Sequence, residues 1–153
     1  GASSVRVMYC LAISAARESI EIANPYFVPD HLAIDLFRDA VKHGVRVRII
    51  VAGAPNDNLV ARVNSIRHHG ALLEAGVELF EYNRTMMHHK TMVVDGVWAT
   101  VGTTNFDSRS FSVNDEANLN IHDAAFAREQ IAIFEDDLKQ ARSITLAEWD
   151  NPP

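Results

Sequence analysis

The sequence predicts a mixed α/β sandwich: one sheet of parallel and antiparallel strands held between helices, in a single domain over residues 1–153. The observations behind this are an early strand, helix, strand, helix, strand alternation, an Asp-Gly pair between two apolar runs, and a closing amphipathic segment. Taken in order, Val7, Met8, Leu11 and Ala15 recur at three- and four-residue spacing and predict a helix over 4–18 with one apolar face. "SIEIANPYF" reads as a short strand ended by Pro25. Asp30 is the expected N-cap of the next helix, whose stripe of Leu32, Leu36, Phe37 and Val41 reads as core, and Gly44 is its stop. "VRVRIIVAG" is a strand, a helix runs from about Asn58 to Ala75, and Gly76 closes it before the strand "VELFEY". Such alternation implies a parallel sheet with covered faces. "HHKTMVV", "VWATVGTTN" and "EANLNI" then add an antiparallel portion, and a helix over 123–142 closes the chain.

The chain has 153 residues, 48% hydrophobic and 22% charged, enough for one core and too few for two. Its net charge of -6 argues against coating nucleic acid, although a pocket for a single phosphate would not show in that total. Cys10 is the lone cysteine, in an apolar helical run, and is expected to be an inert buried thiol. No segment reaches the roughly 18 apolar residues of a membrane span. The opening "GASS" fits a piece of a longer chain, with residues 1–3 a cloning remnant. His31, His43, His68, His69 and His122 lack the spacing of metal ligands and are expected to be solvated.

The Asp95-Gly96 pair carries the chemical question. A two-residue turn there pairs Val94 with Val97, Lys90 with Val101 and His88 with Thr103. Strand alternation then collects His88, Lys90, Thr103 and Asn105 on one face and leaves His89 on the other with Gly102 and Thr104. An ammonium, two neutral donors and an imidazole suit a bound phosphoryl group and its displacement, and the set requires no metal or other cofactor. A water-facing polar edge is the plainer alternative.

His88, Lys90 and Asp95 fit the pattern HxKxxxxD, followed by Gly102, Thr103 and Asn105 in "GTTN" and by Glu116 in "NDEANL". The first pattern alone would arise by chance in about one such chain in fifty. The set resembles the HKD motif of the phospholipase D superfamily. "IEIANPYFVPD", "TMMHHKTMVVDGVWATVGTTNFDSRSF" and "VNDEANLNIHD" together resemble the C-terminal half of a cardiolipin synthase type protein. The resemblance implies a phospholipase D-like fold and phosphodiester transfer through a phosphohistidine, in phospholipid synthesis. It further implies two such motifs facing each other, so that this chain supplies half a site and its partner is a second lobe of the same chain or of a homodimer. The implied catalytic set is His88, Lys90, Asp95, Asn105 and Glu116, with Glu116 orienting His88. Thr103, where serine is common in the family, assists in holding phosphate.

On parity Asp95 reads as a turn-former more than a phosphate contact. Tyr26 and Phe27 are candidates for the substrate mouth, with aromatic core as the alternative. Arg109 is a candidate for a second phosphate. The expected substrate is a phospholipid. The expected location is the cytoplasm or the membrane periphery, with the full-length protein at the inner membrane through parts outside this sequence. Two alternatives remain: a single-motif homodimeric phosphodiesterase or nuclease, and a non-catalytic lobe that binds anions or a partner.

Overall fold

The computed structural model describes residues 4–25, 27–53, 69–82, 90–102, 106–107 and 118–147. In chain order these form α1 (Ser4–Ala15), β1 (Ser19–Ala23), β2 (Phe27–Val28), α2 (His31–Lys42), β3 (Arg46–Ala52), a helical stretch over 69–74 and β4 (Glu78–Tyr82). There follow β5 (Lys90–Val94), β6 (Trp98–Gly102), β7 (Phe106–Asp107), β8 (Asn118–His122), α3 (Ala124–Leu138) and β9 (Ala141–Ile144). Seven strands make one sheet in the order β8-β6-β5-β1-β3-β4-β9, and β2 pairs with β7 separately. The three strands of the alternating half, β1, β3 and β4, are parallel. The later strands add antiparallel on both sides, β5, β6 and β8 beyond β1 and β9 beyond β4. The expected mixed sheet between helices is the observed one.

Strand parity sorts the core into two layers. Ile20 and Ile22 of β1, Val47, Ile49 and Val51 of β3, and Met92 and Val94 of β5 face α1, α2 and Leu72. Ala23, Ile50 and Val93 face the opposite way, onto α3 through Phe134 and Ala127. Asp30 caps α2 as expected, its carboxylate accepting from the Ala33 amide at 2.9 Å while also meeting Arg6 of α1. The Arg6 guanidinium and the cap bond hold the Asp30 carboxyl below its usual range against the opposing pull of burial. Gly44 and Gly76, with φ of 87° and 93°, end the helices they follow.

Several expectations need correction. The first helix stops at Ala15, and it buries Tyr9 and Ile13 while Val7 and Leu11 stay 45% and 64% exposed. In α2, Leu32 is exposed, and Ala33, Ile34, Phe37 and Ala40 are the buried set. The inward faces carry Tyr9 and Ile13 of α1 and Ala33, Ile34, Phe37 and Ala40 of α2, so Leu11 and Leu32 lie off them. The closing helix ends at Leu138, and 141–144 is the edge strand β9, where Arg142 reaches Glu81 of β4 at 2.9 Å. His69 is buried, 5% exposed, because it lies in the helical stretch against the sheet; His31, His43 and His122 are exposed. Cys10 is half-buried, and burial raises its thiol's pKa. No helix among the described residues is long and apolar enough to cross a membrane.

Candidate active site

The HKD segment spans a strand. Lys90 opens β5 and Asp95 follows its last residue, so at roughly 3.3 Å per residue the two lie about 16 Å apart along the sheet. Lys90 stands at the carboxyl end of the parallel strands, since Ala23, the last residue of β1, pairs with its neighbour Thr91. That is the end at which sheets with parallel strands gather ligands. Lys90 is half-buried and has no carboxylate partner among the described residues. A half-buried ammonium in such a position can hold an anion.

Asp95 lies at the opposite end, and its carboxylate is saturated by main-chain donors. Oδ1 accepts from the amides of Glu18 at 2.7 Å, Ser19 at 3.0 Å and Arg17 at 3.1 Å, and Oδ2 accepts from Arg17 at 3.0 Å. The Asp95 amide in turn donates to the Ser19 carbonyl at 2.8 Å. Asp95 therefore fastens the hairpin to the start of β1.

This fastening also corrects the expected register. Asp95 and Gly96 both have positive φ, 55° and 66°, and Val97 donates to the Val94 carbonyl at 3.2 Å, as a type I′ turn requires. The ladder nevertheless pairs Val94 with Trp98 and Lys90 with Gly102, not with Val97 and Val101. Val97 is an extra residue on the β6 side, a consequence of Asp95 being committed to β1. Gly102 thus shares the face of Lys90, contrary to the expected parity.

Phe27 is fully buried, its ring 6.0 Å from that of Phe37, so it is core and lines no open mouth. His88, Thr103, Asn105, Tyr26, Arg109 and Glu116 lie outside the described residues, as do His68, His89 and Thr104. Of the nominated residues the structure describes, Lys90, Asp95 and Phe27 are three separate environments. Buried polar residues that the sequence did not flag are, among the described residues, Glu21 and Asn24 of β1 and its continuation, 4% and 2% exposed, and Thr100 of β6. Glu21 faces α3 beside Arg48, 3.9 Å away, and Arg48 bonds to Glu135 of α3 at 2.6 Å and stacks over Phe134.

Residues 9–138 match the family model described as "Cardiolipin synthase, PLD-like domain". The chain belongs to this family. Cardiolipin synthases of Staphylococcus aureus and a Geobacillus species are 37% and 36% identical to it over 145 and 149 residues. Those alignments cover 95% and 97% of this chain and 29% and 30% of the relatives, so the chain spans under a third of their length. The fold is shared with a crystal structure of a phospholipase D family member, Nuc from Salmonella typhimurium, at a TM-score of 0.81 and 23% identity. That match covers 94% of this chain and 92% of Nuc. Membership in the cardiolipin synthase, PLD-like family accords with the HKD pattern, and the shared fold accords with the seven-stranded mixed sheet.

Proposed function

We propose that the chain supplies one half-site of a phosphodiester-transferring enzyme and that the full protein moves a phosphatidyl group between alcohols. The observation that carries the proposal is Lys90: a half-buried cation with no carboxylate partner among the described residues, at the carboxyl end of the parallel strands and two residues after His88 in a family of cardiolipin synthase domains. In the first step a ring nitrogen of His88, or of its counterpart in a second motif, attacks phosphorus. The bond from phosphorus to the leaving oxygen breaks, and that oxygen takes a proton from the other histidine. In the second step an acceptor hydroxyl gives its proton back to that histidine and attacks phosphorus, breaking the phosphorus–nitrogen bond. Lys90, Asn105 and Thr103 hold the non-bridging oxygens where negative charge gathers. Glu116 fixes the ring of His88 by accepting from its second nitrogen. The second motif comes from another lobe or another copy, and contact with the membrane comes through other parts of the protein.

The test is to incubate the full-length protein with phosphatidylglycerol vesicles, quench, and map histidine that carries a phosphatidyl group. An acid-labile phosphatidyl adduct on His88 or its counterpart, with turnover abolished in His88→Ala, is the expected result. Normal turnover in His88→Ala would overturn the reading. The alternative of a homodimeric phosphodiesterase draws support from the fold match covering 92% of Nuc. Turnover of a soluble diester with none of the lipid would select it.

A further inference from the structure

On the face of the sheet that α3 covers, Glu21 of β1 and Arg48 of β3 are register partners, the first side chain buried and the second nearly so. Buried neighbours of opposite charge ordinarily bond to each other. Here the Arg48 guanidinium stands 3.9 Å from Oε1 of Glu21 and bonds instead to the half-exposed carboxylate of Glu135 on α3, at 2.6 Å, while lying over the Phe134 ring. Oε2 of Glu21 is buried and has no hydrogen-bond partner among the described residues. For two ionised carboxylates this order is inverted: a bond to a half-exposed carboxylate contributes little, and a buried carboxylate with an unused oxygen costs much more. It is the order expected when Glu21 is uncharged.

We infer that Arg48 is a two-position latch between the sheet and α3: set on Glu135 it clasps the helix, and drawn inward onto Glu21 it lets the helix loosen. A proton on Glu21 selects the first position. Its loss leaves a buried negative charge beside a guanidinium, which turns in and gives up Glu135 and with it the tie to α3. Burial is the main force against ionising Glu21, and Glu135 of α3 adds to it. Arg48 and Arg46 of β3 and the Ser19 hydroxyl on the same strand favour the ionised form, and the register partner on β5 is the uncharged Val93. The folded carboxyl therefore releases its proton above the ordinary carboxylate range, and the latch turns as pH rises through that value. Since α3 runs on into the edge strand β9, the latch sets how firmly the end of the fold is held. The device is independent of the proposed half-site.

The experiment is amide hydrogen exchange of the full-length protein across pH 4 to pH 8, corrected at each pH for the intrinsic exchange rate and repeated with Glu21→Gln and Glu135→Gln. In the wild type the amides of α3 are expected to lose protection about tenfold in one step as pH rises, while those of β3 hold theirs. Glu21→Gln, which stays uncharged, is expected to keep the higher protection throughout and show no step. Glu135→Gln removes the charge that holds Arg48 on the helix, at a half-exposed place that tolerates the change, and keeps the test open if Glu21→Gln fails to fold. It is expected to show the lower protection of α3 at every pH. Protection of α3 that does not vary with pH in the wild type overturns the inference, as does the wild-type step persisting in either variant. An equal loss in β3 and α3, which general destabilisation would give, overturns it too.

Discussion

The two ends of β5 treat charge in opposite ways. At one end the Lys90 ammonium meets no carboxylate among the described residues; at the other the Asp95 carboxylate accepts from three consecutive main-chain amides. Both residues belong to one eight-residue motif, yet among the described residues one meets no carboxylate and the other accepts from main-chain donors. A charge kept uncompensated costs stability and gains a ligand, whereas a charge saturated by main-chain donors fixes architecture. On the proposed function, the motif joins a phosphate-binding end to an anchored end through one strand.

The largest expected effect is at the phosphate-binding end. Lys90→Met keeps the aliphatic stem and removes the cation, and turnover by the full-length protein should fall roughly a hundredfold or more. Thermal unfolding should show no loss of stability, and a lower Tm with unchanged turnover would reverse the assignment of the two ends. At the anchored end the outcome should be the converse. Asp95→Ala orphans the amides of Arg17, Glu18 and Ser19 and places alanine at a φ of 55°, costing about 2 kcal/mol or more of unfolding free energy. Asp95→Asn, which keeps one acceptor oxygen and tolerates that φ, should recover much of it. Denaturant midpoints for both variants decide between anchoring and a direct part in turnover.

Much of the fold was readable because its signals are local. The Asp30 cap, the Gly44 and Gly76 stops and the Asp95-Gly96 turn each rest on a few neighbouring residues, and all four appear where the sequence puts them. What the sequence hid depends on contacts made far along the chain. The bulge at Val97 exists because Asp95 is bonded to residues 76 to 78 positions earlier, so the register slipped by one and moved Gly102 to the lysine face. The exposed Val7 and Leu11 line a groove of about 540 Å³ with Val97 and Trp98, a surface that helical spacing reads as core. Of the candidate site, the HKD pattern nominates residues most of which lie outside the described ones, and the face that Gly102 shares with Lys90 depends on a ladder register that no spacing rule supplies.

Between the two ends, buried charge gives a smaller and pH-dependent effect. Burial on the α3 face raises the Glu21 carboxyl, with Arg48 pulling the other way, and its Oε2 has no hydrogen-bond partner among the described residues. A carboxyl whose pKa is higher folded than unfolded leaves stability greatest below the unfolded value of about 4.3, and that stability is lost as pH rises through the folded value. Glu21→Gln should remove this slope, since Arg48 retains Glu135. Urea titrations between pH 3 and pH 8 that give parallel curves for both proteins would show that its neighbours compensate the Glu21 charge.

The smallest effect belongs to the anchored end again, and it has the opposite sign. Arg46, whose register partner in β1 is Ser19, bonds to Glu78 of β4 at 2.8 Å and 3.2 Å, and that guanidinium holds the Glu78 carboxyl below its usual range. A lowered folded pKa contributes stability above the unfolded value, lost as pH falls through the folded one. The side chains are 61% and 44% exposed, so the pair is expected to contribute only about 0.5 kcal/mol, less at high salt. In the same acid window, then, the Glu78→Gln difference should shrink as pH falls, while the Glu21→Gln difference shrinks because the wild-type protein gains stability. Chemical denaturation of the two single variants and the double variant separates the slopes. A Glu78→Gln loss that persists unchanged at pH 3 would mean that packing of the side chain, and not its charge, holds that edge of β4.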